Sequence, residues 1–317
     1  MKMKNFLTYL LCLIFIFGTV ILFGARAAAQ DAVAVITEVK LNRGDLQIQL
    51  PGKKTWEKPG MLQSLYVGTQ LQASKDAAAV VLFTDGGKTV TINEKNSPFE
   101  IKAGDAKGGL GSGVKDAASA LLGKKKAPSY VALAVRGGKR PPVLVSPRNT
   151  KVLTDSPTLQ WMGMERQPGT VRVFGPQGVV WSAENISLTQ LKYPASAPRL
   201  KPGVEYAWVI EKKGFPVDKV PFKILPADDA KAVQQKLAAL QDAAGLPKTT
   251  QAILKAGLLS SNELYYDARE ILTDAVNEDP DEPTLHFLLA EVYEKTGLKD
   301  LASEEYSESE FLLKKRQ

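Results

Sequence analysis

The chain carries one histidine, His286, and one cysteine, Cys12, so the side chains that do most metal-centred and nucleophilic chemistry are nearly absent. A zinc site needs three or four His or Cys ligands, a Ser-His-Asp triad needs a histidine free to take a proton, and a Cys-His pair needs both groups together. Carboxylates are left. Asp279 with Asp281, and Glu304 with Glu305, lie in stretches that read as a loop and a solvated helix face, where nothing suggests a raised pKa for acid-base work. The glycines around Gly108 and Gly113 fail as a phosphate loop, because Val114 follows the second glycine where a Lys and then Ser or Thr are required. The expectation is a protein that is not an enzyme, with no catalytic residues, no cofactor and no metal.

Most of the order in the chain is architectural instead. Over about seventy C-terminal residues the sequence matches itself at a spacing of 34: Leu259 recurs as Tyr293, Ala268 as Ala302, Leu272 as Tyr306 and Ala275 as Ser309. A fixed period of this kind is the pattern of stacked helical hairpins, which bury their faces on one another and leave a groove for a partner. Counting from Thr249 and again from Pro283, the small residues fall at Ala256, Ala268 and Ala275 and then at Ala290, Ala302 and Ser309, with Pro280 closing the first unit. In this the tail resembles the tetratricopeptide repeat family. The resemblance implies a concave wall built from Thr250, Ile253, Gly257, Ser260 and Ser261, then Thr284, Phe287, Glu291, Glu294 and Lys295. Ile253 and Phe287 are the expected apolar anchors for a protein partner, with Glu291, Glu294 and Lys295 as polar contacts. The alternative is that the C-terminal helix, 301–316, folds over the wall and takes both anchors as core. His286 falls where the family packs a large residue. A helix capped by Asp228 or Asp229 and ended by Gly245-Leu246-Pro247 stands outside the period and reads as a cap on the first repeat.

The other end of the chain addresses its compartment. Lys2 and Lys4 precede an apolar run from Phe6 to Phe23, and Ala27-Ala28-Ala29 follows, the order of an export signal cut after Ala29. The run is also long enough to span a bilayer, so a retained anchor is the competing reading. Cys12 lies inside it, and a cleaved chain has neither disulfide nor thiol. The expected location is the periplasm or cell envelope.

Residues 30–103 read as strands throughout. Leu46, Ile48 and Leu50 alternate, Ala79-Val80-Val81-Leu82-Phe83 is a run fit for a strand buried on both faces, and Asp85-Gly86-Gly87 supplies a hairpin turn. The order Gly44-Asp45-Leu46, Gly60-Met61-Leu62, Gly68-Thr69-Gln70-Leu71, Phe83-Thr84-Asp85-Gly86 and Phe99-Glu100-Ile101 resembles the FecR-type domain of exported bacterial proteins. The resemblance implies an envelope-facing all-β module. Only five residues precede the apolar run, so the cytoplasmic head used by the signalling regulators of that family has no counterpart.

Residues 104–128, rich in glycine and lysine, read as a flexible basic linker with a transient helix near Asp116 to Leu122. Lys124-Lys125-Lys126, with Arg136, Lys139 and Arg140 nearby, form a solvated face or a contact for an anionic envelope polymer or lipid; no nucleic-acid partner is expected. Within 129–226, short strands recur near every ten residues between turn clusters, which suggests a β-sandwich with Trp161 and Trp208 in its core. The stretches Pro157-Thr158-Leu159-Gln160-Trp161 and Lys201-Pro202-Gly203-Val204-Glu205-Tyr206-Ala207-Trp208 resemble fibronectin type III or immunoglobulin-like modules. Charge is uneven, with 9 basic against 2 acidic residues over 102–140 and 10 against 18 over 227–317. The fold class expected is multidomain, β then α: a FecR-like β domain, a sandwich, and helical hairpins over 227–317. The function expected is an exported interaction scaffold that holds a protein at the repeat wall, or else a glycan or peptidoglycan binder acting through the β domains.

Overall fold

Strand β1 (Ala34–Lys40) is buried at every residue but Lys40, although its sequence alternates like a half-exposed strand. The reason is that it is covered on both sides. Ala34, Ile36 and Val39 join the core of the N-terminal β sheets, whereas Val35 joins the core of the helices. Pairing with β5 (Ala78–Phe83) shifts between Ile36 and Glu38, a bulge that turns Thr37 and Glu38 to the same side. The computed structural model describes residues 31–85, 88–104, 112–122, 141–164, 168–241, 243 and 245–314. By its contacts the chain divides into Met1–Asp31 and Ala32–Gln317, and the strands and helices of the described residues belong to the second unit. The apolar leader and the basic residues 124–126, 136, 139 and 140 lie outside the described residues.

The N-terminal sheets are a four-stranded one ordered β3-β1-β5-β6, with β3 (Ser64–Leu65) and β6 (Thr89–Asn93), and a three-stranded one ordered β2-β4-β7, with β2 (Leu46–Gln49), β4 (Gln70–Ala73) and β7 (Phe99–Glu100). Leu46, Ile48, Leu65, Leu71, Val81 and Phe83 fill the space they enclose. Gly44 allows the chain to pass close to its neighbour, since a Cβ there would lie 2.2 Å from the Lys75 carbonyl oxygen. Thr69 is buried and its hydroxyl accepts the Tyr66 N–H at 3.1 Å, pinning the turn before β4.

A second β region follows. One sheet, ordered β13-β10-β8, contains β8 (Val143–Ser146), β10 (Thr158–Met162) and β13 (Gln190–Lys192). The other, ordered β12-β11-β14-β15-β9, contains β9 (Thr150–Val152), β11 (Gly169–Gly175), β12 (Gly178–Ile186), β14 (Glu205–Glu211) and β15 (Val220–Ile224). Both contribute to one core around Trp161 and Trp208, whose rings lie 6.1 Å apart. Trp208 donates its indole N–H to the Pro147 carbonyl at 2.7 Å. Trp181 is half-buried with its ring edge-on to Tyr193 at 5.4 Å.

The five helices at the C-terminal end are α2 (Ala227–Gln241), α3 (Lys248–Ser261), α4 (Tyr265–Glu278), α5 (Pro283–Thr296) and α6 (Lys299–Lys314), preceded in the chain by α1 (Ser112–Leu121). Pro283 at the first turn of α5 and Gly297 just after its end are the usual start and stop chemistry, and Glu282 caps it through the Thr284 N–H. The β-then-α order is as the sequence leads one to expect. The stretch around α1 differs from the transient helix expected of a linker: Val114, Ala117, Ala118 and Leu121 are buried in the same core as α3. Small residues at 117 and 118 let α1 pack closely, so a segment too apolar-poor to fold alone is ordered by a surface already in place. Among the described residues, no helix is long and apolar enough to cross a membrane.

Candidate functional site

The wall expected to hold a partner is largely filled by the chain itself. Ile253 is fully buried and Phe287 is 2% exposed, so neither stands free as an anchor. This corrects the expectation that both face an open groove. Phe287 meets Tyr306 of α6 edge to face, ring centroids 5.6 Å apart, so the C-terminal helix supplies part of the cover. The rest comes from elsewhere in the chain. Thr250, on the turn of α3 before Ile253, approaches β1, where its hydroxyl lies 3.1 Å from that of Thr37 and bonds the Glu38 carboxylate. One turn after Ile253, Gly257 faces α1, with its missing Cβ position 2.6 Å from Leu121 Cδ2. Of the expected wall residues on α5, Thr284 and Phe287 are buried, Glu291 and Glu294 are half-buried, and Lys295 is exposed. Glu294 accepts the Tyr306 hydroxyl at 2.9 Å. The structure therefore places Ile253 and Phe287 in one core and leaves Lys295 outward.

His286 is 7% exposed and bridges two helices, Nδ1 to Glu305 at 2.7 Å and Nε2 to the Pro280 carbonyl at 3.0 Å. Burial opposes its charge, but the Glu305 and Pro280 contacts outweigh that and hold its pKa above the ordinary value. Both ring nitrogens are committed, and the side chain ties α5 to α6. Asp279, one of the loop carboxylates, pairs with Lys40 at 3.0 Å.

Two buried carboxylates escaped sequence reasoning. Glu282 is fully buried, and that burial pushes its pKa to about 8 despite bonds from Thr284 and Val39, with the Glu38 charge adding to the rise. Glu38 is 4% exposed and burial raises it too, against its bond from Thr250. The one visible signal was an acid inside the apolar strand 34–39; only the bulge shows that it points at another module.

The open surface lies elsewhere. A groove of about 690 Å³ runs between the second β region and the turn joining α5 to α6. Val143, Met162 and Val217 line it and are 43%, 49% and 52% exposed, half of the large apolar residues that stand out on the described surface. Leu298 and Leu301 form the helical wall, and Arg148, held by Asp218 at 3.0 Å and by the Thr296 carbonyl at 3.1 Å, forms the floor between them. Nothing in the sequence pattern marked this groove, because its wall residues come from four separated stretches. No protein-family model matches the chain, and no curated protein sequence matches it either.

Proposed function

We propose that the protein is an exported, non-enzymatic interaction scaffold of the cell envelope, built from a FecR-like β module, a fibronectin-type or immunoglobulin-like sandwich and tetratricopeptide-like hairpins. In this reading the hairpins serve first as an internal clamp on β1 and α1, and an extended segment of a protein partner binds the groove between sandwich and helices. The observation that carries it is the convergence of Val143, Met162 and Val217 on that groove. Single exposed aliphatics are ordinary, but several lining one concave surface mark a contact site. β8 supports the choice of an extended segment. Among the described residues it is an edge strand, paired with β10, and its first residue, Val143, opens onto the groove. An incoming strand can pair with such an edge while its side chains enter the groove.

The test is a photo-crosslinking residue introduced at Met162 in the full-length protein in its own cells, compared with one at Val179, which is equally exposed but outside the groove. The reading predicts a discrete protein adduct from 162 alone, lost when Val217→Asp is added, with the adduct found in the envelope fraction and the chain beginning at Gln30. Equal labelling from both positions, or none from 162, overturns it.

A further inference from the structure

The contact between β1 and the repeat helices is polar at its centre. Thr37 and Glu38, turned together by the bulge, meet Thr250 of α3. Glu282 accepts the Val39 backbone N–H at 3.2 and 3.3 Å through its two oxygens and the Thr284 N–H at 3.2 Å, so one carboxyl group joins β1 to the start of α5. At the edge, Asp279 receives Lys40 at 3.0 Å and the Thr249 hydroxyl at 3.4 Å. The titratable groups facing this contact are thus Glu38 and Lys40 from β1 and Asp279 and Glu282 from the turn before α5, while α3 contributes only hydroxyls. Lys40 is committed to Asp279 and half-exposed; its charge is felt by Glu38 and Glu282.

A purely structural contact between two modules is served well by apolar residues, and burying two carboxylates is costly when both are ionised, even with the Lys40 charge nearby favouring Glu38's ionised form. We propose that this contact is a proton-sensitive latch, closed while the Glu38–Glu282 pair keeps a proton and loosened when both ionise, which frees β1 from the repeat face and uncovers Thr250 and Thr284. The direction follows from linkage. Glu282 releases its proton near pH 8 when docked and in the ordinary carboxylate range, near 4.5, when solvated. Docking is therefore strongest below that range, weakens as pH rises through it, and reaches its weakest level above about pH 8. The latch does not depend on what occupies the groove.

Hydrogen exchange of the full-length protein, corrected for intrinsic rates and measured at about pH 5.5 and about pH 8.5, tests it. The expected result is a ~10-fold or greater loss of protection at the higher pH in the β1 peptide and the first turn of α5, with none in β14. Glu282→Gln, which stays neutral and keeps one oxygen to accept the Val39 and Thr284 N–H groups, is expected to hold protection constant across that range, and Glu38→Gln to reduce the loss. The wild-type profile decides by itself if a variant fails to fold: unchanged protection at the contact, or an equal loss in β14, overturns the latch. A loss that persists in folded Glu282→Gln overturns the assignment to that residue.

Discussion

Leu121 of α1 occupies the space in front of Gly257 of α3, so closely that a Cβ on the glycine would lie 2.6 Å from Leu121 Cδ2 and 3.3 Å from its Cγ. Both residues are buried, so a side chain added at 257 has to displace the end of Leu121 within a packed core. A glycine in mid-helix costs roughly 1 kcal/mol relative to alanine, and here the cost accompanies close approach of a second helix. Gly257→Ala is expected to destabilise by about 1 kcal/mol, because overpacking at ~1 to 3 kcal/mol outweighs the gain in helix propensity. In a Leu121→Ala background the same change is expected to stabilise. A double-mutant cycle by urea unfolding reads the coupling, and additive effects would remove α1 from this face.

Phe287→Ala and Ile253→Ala are expected to unfold the helices more easily, by ~3 to 5 and ~2 to 5 kcal/mol, comparable to Leu272→Ala. Anchors in an open groove would leave the melting temperature nearly unchanged. Thermal melts of the three variants side by side distinguish these outcomes.

Asp267 in the first turn of α4 accepts the Leu153 N–H at 3.2 Å, and burial pushes its pKa to about 7. The folded chain holds a proton there that the unfolded chain gives up in the ordinary aspartate range, near 3.8, so the contribution of this group is fully present below that range and lost as pH rises to about 7. Asp267→Asn keeps an acceptor and removes the charge. It is expected to raise the urea midpoint at about pH 8 and to leave it unchanged at about pH 4.

Trp208→Phe leaves the Pro147 carbonyl without the indole N–H that reaches it at 2.7 Å and opens a small void beside Trp161. A loss of ~1 to 3 kcal/mol is expected, read by denaturant unfolding of the full chain. A loss well below that would mean water replaces the indole.

The sequence alone was sufficient for whatever depends on near neighbours along the chain. Strand alternation at Leu46 and Ile48, the apolar run 79–83 and the 34-residue period are local, and they correspond to β2, β5 and the helices α3 to α6, while the hairpin turn expected at Gly86-Gly87 lies outside the described residues. His286, which the repeat resemblance implies to be a packing residue, is buried and bonds Glu305 of α6. What the period could not contain is which surface covers a face that the hairpins leave open. That was decided by β1, more than two hundred residues away from α3, and by α1, a helix whose sequence reads only as transient and whose burial against α3 lies outside the local pattern. The same holds for Glu38, Glu282 and the groove at Met162: burial, raised pKa and concavity arise only where distant segments meet, because desolvation is a property of the assembled neighbourhood and not of the residue.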